Sequence, residues 1–336
     1  MKVLLFSEGK KLFSKSGVGI ALKHQMQALK HTDVAFTLDP RDNYKLVHIN
    51  TLGPKSWKVL KNAKEKGIPV IYHTHTTYED FRNSFLFSNQ IAPFLKKQLI
   101  KRYSAADYLI FPSKYTEGLI RGYGISTPGF VVSNGVDTAL FRRNETLAKE
   151  FRNSFNIKTP LIVNVGLPLK RKGLIDFAEV AKRFPEYRFV WIGAKFSAIQ
   201  PLSIRNVIRK SPENLLFPGY LSFEMLLGAL SAADVFFFPS YEENEGIAVL
   251  EACSMKCPVV IRDIPVYQDW MISGENCLKA SDIDGFCEAI NILLRDRDLA
   301  MKLGEKAVNT AQDRDLRIVG KKLKEVYLNA TGGANE

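Results

Sequence analysis

The sequence is poor in the features that mark secreted, membrane-spanning or metal-clustered chains. Its four cysteines, Cys253, Cys257, Cys277 and Cys287, all fall late, and none forms a CxxC pair or lies near a histidine cluster. That argues against a cysteine-based zinc site or a disulfide framework, and fits buried thiols in a reducing cytoplasm. No apolar run approaches the ~20 residues that span a bilayer. The opening MKVLLFSEGKKLF breaks its apolar run at Ser7-Glu8-Gly9, as expected of a first strand and not of a signal peptide. Acidic residues are scarce in one half only. Residues 1–155 hold 24 Lys+Arg against 12 Asp+Glu and residues 156–336 hold 23 against 23, so the net charge of +12 belongs to the first half. Such asymmetry predicts an anionic partner for that half. It lacks the interleaved aromatic and basic motif of nucleic-acid binding, and no nucleic acid is expected.

What the chain does have is core material for two domains, with 46% apolar residues over a length of 336. KVLLF, LVHIN, IPVIYHTH, ADYLIFPS and GFVVSNGVD read as strands, with helices from about Ile20 to Leu29, over SWKVLKNAKEKG, and from Phe85 to Tyr103 around Pro93. The polar stretch Thr138 to Lys158 reads as a linker. Alternation then resumes with LIVNVG, RFVWIGA, NLLFPGY, VFFFPS and PVVIRD as strands, GLIDFAEVAKRF as the clearest helix, and helices over 284–294, 299–310 and 316–328 before a frayed TGGANE tail. Alternating strands and helices predict an α/β protein of two Rossmann-like, doubly wound domains facing a central cleft. The expected boundaries are 1–155, 156–315, and a C-terminal helix and tail, 316–336, that returns to the first domain.

Four stretches end predicted strands on the side where doubly wound sheets bind ligands. SKSGVG (Ser14 to Gly19) is a glycine-bearing loop before a helix, which suits a phosphate or is simply a turn. VGLPLKRKG places Lys170, Arg171 and Lys172 at a helix start, where positive charge opposes the helix dipole. A bound diphosphate would account for it, as would a solvated basic loop. SNGVD (Ser133 to Asp137) is a tight polar turn that can be purely structural. Last, FPSYEENEGIAVLEA sets Glu243 and Glu251 eight positions apart across a strand-to-helix corner.

In this order, with an HTH between, these stretches resemble the family 4 retaining glycosyltransferases of GT-B fold, through nearly all of the chain. ENEGIAVLEA carries the resemblance most strongly. The resemblance implies a nucleotide-sugar donor site in the second domain. Glu251 would take the ribose hydroxyls, and Glu243 with Asn244 the transferred sugar. The amides of Glu245, Gly246 and Ile247 would cap the diphosphate, approached also by Gly17, Gly19 and Gly166. Lys172 would neutralise the leaving group, helped by Lys170 or Arg171, because the arginine common after this glycine is here Leu167. His75 matches the family histidine near the acceptor; His73, two residues away, shares its face. Catalysis is thus expected from His75, Glu243 and Lys172, by front-face substitution, with no obligatory metal or cofactor. The DxD-like triplets at 282–284, 296–298 and 313–315 are expected to be surface charge.

The acceptor is expected on the first domain. Phe85, Leu86, Phe87, Ile91, Phe94, Leu95, Leu99 and Ile100 interleave with Lys96, Lys97, Lys101 and Arg102, a pattern that suits an anionic membrane surface or an ordinary helix with one face in the core. Lys55, Lys58, Lys61, Lys64 and Lys66 add a second basic face. SEGKKLFSKSGVGIALKHQ together with PSYEENEGIAVLEA is similar to the bacterial glycolipid synthases that extend glucosyl-diacylglycerol. The expectation is a peripheral enzyme on the inner face of the cell membrane, using UDP-glucose or UDP-galactose to make a diglycosyl lipid that also anchors lipoteichoic acid. The alternatives are transfer to a soluble or polyprenyl-linked saccharide of capsule or wall polymer, a nucleotide-sugar epimerase on the same fold, and a non-catalytic sugar-nucleotide-binding subunit.

Overall fold

A computed structural model describes residues 1–9, 17–194 and 200–333. The start of the SKSGVG loop, Ser14 to Ser16, and the end of the tail, 334–336, lie outside the described residues. The chain divides into two compact units, Met1–Phe81 with Gln90–Val136 and Arg314–Glu336, and Arg82–Asn89 with Asp137–Asp313.

The first unit is built on six parallel strands, β1 (Lys2–Phe6), β2 (Ala35–Thr37), β3 (Leu46–Ile49), β4 (Val70–His73), β5 (Tyr108–Phe111) and β6 (Gly129–Val131), in the order β2-β1-β3-β4-β5-β6. Both faces of the sheet are covered, so the strands are continuous apolar runs, and their side chains alternate between two cores. Val3 and Leu5 face one core with Leu22, Leu29, Leu316, Val319 and Leu323. Leu4 and Phe6 face the other with Leu60, Leu99, Tyr103 and Ile120. The C-terminal helix Leu316–Ala330 lies on the helix Gly17–Leu29 so closely that a Cβ at Gly320 would stand 2.2 Å from the Ala28 carbonyl oxygen.

The second unit repeats the plan with β7 (Leu161–Val165), β8 (Arg188–Ile192), β9 (Leu215–Gly219), β10 (Val235–Phe238), β11 (Val259–Arg262) and β12 (Leu278–Ala280), in the order β12-β11-β10-β7-β8-β9. All its pairings are parallel. Its core centres on Phe177, which meets Trp191 edge-on at 5.2 Å and stacks on Phe237 at 5.4 Å. The order reverses direction between β1 and β3 in the first unit and between β7 and β10 in the second. Those are the two places where such sheets open a crevice at the carboxyl ends of their strands.

Three features differ from the reading of the sequence. The short edge strands β2 and β12 carry too few residues to show a pattern. The supposed linker contains the helix Glu145–Ser154, capped by Asn144, with Ala148 and Phe151 buried. It packs against the helix Phe223–Ala232, where a Cβ on Gly228 would lie 2.6 Å from the Leu147 carbonyl oxygen. The change of unit therefore falls at Val136–Asp137, and residues 82–89 of the first half join the second unit. Finally, Gly17 and Gly19 lie in the first turn of a helix and not in a loop.

Candidate functional site

In the second unit, the segments that follow β7 and β10 meet at the switch point. After β7 the chain makes a single 3-10 turn, Lys170–Lys172, and reverses at Gly173, whose φ is +76°. A side chain there is doubly excluded, because a Cβ would sit 2.3 Å from the Pro239 carbonyl oxygen beyond β10. The two segments are thereby pressed together, and the Lys172 ammonium pairs with Glu243 while lying 5.4 Å from the centre of the Phe238 ring. Ser240 Oγ donates to the same carboxylate oxygen at 2.6 Å, and Arg171 Nη1 stands 4.0 Å away. Burial alone would push the Glu243 carboxyl up, but Lys172 and Arg171 outweigh it and hold it below its usual range. Glu243 is an anion held in place.

Gly246, at φ +99°, caps the helix Ile247–Ser254. Its missing Cβ leaves room for the Tyr267 hydroxyl, which would be 2.7 Å from that atom. The first-turn amides of a helix have no intrahelical partner and favour anions. Glu245 is buried, Asn244 and Ile247 are partly so, and Glu251 projects from the same helix, 6% exposed. Among the described residues the Glu251 carboxylate has no hydrogen-bond or ion-pair partner, and burial pushes it up to about 8. The paired Glu243 and the solitary Glu251 thus differ sharply in environment.

Of the other predicted residues, Arg171 is built into the scaffold. Its amide donates to Asn83 O at 3.2 Å, its Nε to Ser84 Oγ at 3.0 Å and its Nη1 to Glu242 O at 3.0 Å. Lys170 is exposed and Leu167 partly buried. Gly166 accepts from Trp191 Nε1 at 2.9 Å, which fixes the turn after β7. No motif marks Arg262, yet it braces the end of β10. Its Nε donates to Pro239 O at 3.1 Å, its guanidinium pairs with Asp176, and it stacks 3.8 Å from the Tyr241 ring. A lone arginine at the end of the apolar strand PVVIRD is the only hint the sequence offers.

In the first unit, His75 lies two residues past the end of β4 and its ring stacks on His73 at 3.8 Å, as their shared face predicts. They belong to a larger buried cluster with Gln25, His48, Asn50 and Tyr327. Burial pushes His48 and His75 down to about 3 and His73 well below its ordinary value, so all three rings are neutral. Unfolding below pH 6.5 then takes up protons that the folded rings exclude. Their contribution to stability is complete above that pH and declines as pH falls toward the folded values. Each ring costs about 1.4 kcal/mol per pH unit in that window. Glu251 has the opposite sign, its stabilising contribution being full below 4.5 and lost as pH rises to about 8. Three rings outweigh one carboxyl. Urea denaturation should lose about 2 kcal/mol per unit between pH 6.5 and 5, where the unfolded rings are on average about four-fifths protonated; a flat profile would contradict this neutral, buried cluster.

SNGVD is structural: Gly135, at φ +73°, faces Leu316 and Val319 of the C-terminal helix, and its carbonyl oxygen lies 2.9 Å from His24 Nδ1. Asp282, Asp296 and Asp315 of the DxD-like triplets cap helices, accepting from the amides of Gly285, Leu299 and Arg317. The segment from Phe85 to Tyr103 divides its roles. Leu99 and Tyr103 are core, whereas Phe87 is 68% and Phe94 63% exposed. Lys96 lies over the rings of Tyr78 and Tyr123, and Arg102 donates to Gly53 O at 3.2 Å beside Trp57. Lys97 and Lys101 are exposed, and Phe85 is partly buried. Sequence pattern alone does not separate the core-facing members of this set from the exposed ones.

Two doubly wound units, one carrying a lysine-paired and a solitary glutamate at its switch point, define a nucleotide-sugar-dependent transferase. Residues 147–310 match the model for glycosyl transferases group 1, and residues 23–140 that for glycosyltransferase family 4. The chain is 39% identical, over 97% of its length and 98% of the relative's, to the processive diacylglycerol alpha-glucosyltransferase of Acholeplasma laidlawii. Over 46% of its length and 41% of the relative's it is 30% identical to the alpha-galactosylglucosyldiacylglycerol synthase of Streptococcus pneumoniae. Among solved structures, sucrose-phosphate synthase from Thermosynechococcus elongatus superimposes with a TM-score of 0.82 at 17% identity, covering 99% of this chain and 100% of that one. Anabaena HepE in complex with UDP-glucose gives 0.79 at 15% identity, covering 98% and 100%. The chain belongs to glycosyltransferase family 4 and has the GT-B fold.

Proposed function

We propose that this enzyme transfers glucose from UDP-glucose to a diacylglycerol-based acceptor at an anionic membrane, with retention of anomeric configuration, giving glucosyl- and then diglucosyl-diacylglycerol. The observation that carries the reading is the 39% identity, over nearly the full length of both chains, to a processive diacylglycerol alpha-glucosyltransferase. That likeness favours glucose over galactose as the donated sugar.

In this reading the solitary Glu251 accepts hydrogen bonds from the ribose diol, which its two oxygens match. Glu243, with Asn244 beside it, holds the hydroxyls of the transferred glucose. The amides of Glu245, Gly246 and Ile247 and the charge of Lys172 receive the diphosphate, with Lys170 adding long-range attraction. The bond from the anomeric carbon to the phosphate oxygen breaks as the acceptor oxygen bonds to the same face. The acceptor proton passes to the leaving phosphate oxygen, so no protein base is consumed. Lys172 and the helix start stabilise charge that develops only as the bond breaks. His75 serves the acceptor side. No metal is obligatory.

Ile91 and Phe94 supply an exposed apolar edge for the membrane and Lys97 and Lys101 supply charge, while Phe87 is an exposed apolar residue of the second unit. The exposed lysines Lys55, Lys58 and Lys61 of the helix Pro54–Glu65 adjoin them, because Lys61 and Lys101 both lie over the Trp57 ring. Each such cation near an anionic surface is worth about 1 kcal/mol. No helix among the described residues is long and apolar enough to cross a membrane, and attachment in this reading is peripheral, on the cytoplasmic leaflet.

The test is incubation with radiolabelled UDP-glucose or UDP-galactose and mixed vesicles of diacylglycerol and anionic lipid. The expected product is labelled glycolipid from UDP-glucose, made faster at low salt and undiminished by EDTA. Label confined to the aqueous phase would refute the acceptor, and a preference for UDP-galactose the donor.

A further inference from the structure

The buried cluster around His75 is more polar than packing requires. Gln25, His48, Asn50, His73, His75 and Tyr327 are each at most 9% exposed. Among the described residues, Gln25 Oε1, Asn50 Nδ2 and His73 Nε2 have no hydrogen-bond partner. Buried polar atoms left unsatisfied destabilise a fold, and in a native structure each calls for an explanation. Among the described residues, the side-chain hydrogen bonds that join the six to one another form one unbranched chain.

Gln25 Nε2 donates to Asn50 Oδ1 at 2.7 Å and reaches His73 Nδ1 at 2.9 Å. His73 Nδ1 is therefore an acceptor, and the neutral ring carries its proton on Nε2. His48 Nε2 lies 3.2 Å from the same His73 Nδ1. Two lone pairs cannot face each other at that distance, so His48 also bears its proton on Nε2. Its Nδ1 then accepts from the Tyr327 hydroxyl at 2.7 Å. On the other arm, Asn50 Oδ1 stands 2.9 Å from His75 Nε2 and is an acceptor, so His75 donates from Nε2. Reversing any one of the three ring protons forces reversal of the other two and of both amides, and leaves the Tyr327 hydroxyl as the only group that can adapt by rotating. In the reversed chain the Tyr327 hydroxyl would accept from His48 and its own proton would lose the partner it has here. Tyr327 thus biases the direction of the whole chain. The rings are held in register by stacking, His48 on His73 at 5.3 Å and His73 on His75 at 3.8 Å, with Tyr327 edge-on to His48 at 5.7 Å.

We propose that Tyr327, on the C-terminal helix, is a positioning residue for the transfer reaction, setting which nitrogen of His75 carries the proton through His48, His73, Gln25 and Asn50. Which ring nitrogen of a histidine is protonated is decided by the bond its other partners make, and a histidine in the wrong tautomer presents the wrong group to a substrate. The three unpartnered atoms are then the cost of a chain whose members must all keep a fixed direction. The role in turnover rests on the proposed function of His75; the coupling of the protons does not.

The test uses the full chain with 15N-labelled histidine, compared with Tyr327→Phe, Gln25→Met and the double variant. Phenylalanine keeps the ring and its edge contact with His48, and Gln25→Met changes nothing on the C-terminal helix. In the parent, the ring nitrogens of His48, His73 and His75 should show single Nε2–H tautomers. In Tyr327→Phe the His75 nitrogens should lose that single-tautomer signature, although residue 327 does not touch His75. Its kcat should fall about tenfold, the scale of losing an outer partner that orients a histidine, with donor KM unchanged. The double variant should lose no more than the worse single one. An unchanged His75 spectrum in both single variants, or additive losses in kcat, would overturn the proposal. If the spectra behave as stated but no variant or parent glycosylates lipid, the relay stands and the function proposed for His75 falls.

Discussion

If the donor site is as proposed, Lys172→Ala should lower kcat for sugar transfer by about 100- to 1,000-fold while changing donor KM far less. The reason is that the bond broken is a glycosyl phosphate, and the charge on the departing diphosphate grows only as the bond opens. A cation fixed at that oxygen is worth more in the transition state than in the ground state. Lys172 is well placed to be such a cation, being partly buried, tethered to Glu243 and resting over Phe238, at a turn that Gly173 alone permits. Arg171 does not substitute, because its guanidinium is bound to Ser84 and Glu242. The substitution also leaves Glu243 with only Ser240 and the more distant Arg171, so a loss of stability accompanies it. Adding Glu243→Gln in the same chain should restore the melting temperature without restoring turnover. Steady-state kinetics at saturating vesicles decide the matter; a kcat within threefold of the parent would remove Lys172 from the reaction.

Glu251→Gln separates stability from binding. An ionised carboxylate without a partner in a buried site is unfavourable, which is why burial pushes Glu251 up to about 8. Because the folded value is raised, the stabilising contribution of this group is present at low pH and is lost as pH rises through 8. An amide of the same shape has no such loss, and at pH 9 it should raise unfolding free energy by several kcal/mol. The same change should weaken UDP binding about 100-fold, since a carboxylate accepting both ribose hydroxyls makes two charge-assisted hydrogen bonds and an amide oxygen does not replace them. Calorimetric titration with UDP at pH 8 and thermal melts from pH 6 to 9 measure the two effects. A variant that binds UDP as tightly as the parent would put the ribose elsewhere.

Much of this was legible in the order of the residues, for definite reasons. Buried parallel strands are continuous apolar runs, so β1, β3, β4, β7, β8, β10 and β11 stand out, and the fold class follows from their alternation with helices. The corner that carries Glu243 and Glu251 was legible as an apolar strand followed by an apolar-periodic helix, whereas the roles expected of the two came from the resemblance of ENEGIAVLEA. The edge strands β2 and β12 were not, since three residues carry no period. The helix Glu145–Ser154 was hidden because its buried residues, Ala148 and Phe151, are outnumbered by charged ones. Tyr327 and His48 are 279 positions apart, and only the return of the C-terminal helix to the first sheet joins them. Lys96 and Arg102 read, with Lys97 and Lys101, as cations facing a membrane or acceptor, but aromatic rings and a backbone carbonyl oxygen engage them.

The most direct measurement is mass spectrometry of total lipid extracts from cells with and without this chain. Monohexosyl- and dihexosyl-diacylglycerol should appear with the chain and vanish with Glu243→Ala. An unchanged lipid profile, with the hexose recovered on a soluble or polyprenyl-linked saccharide, would contradict the proposed function.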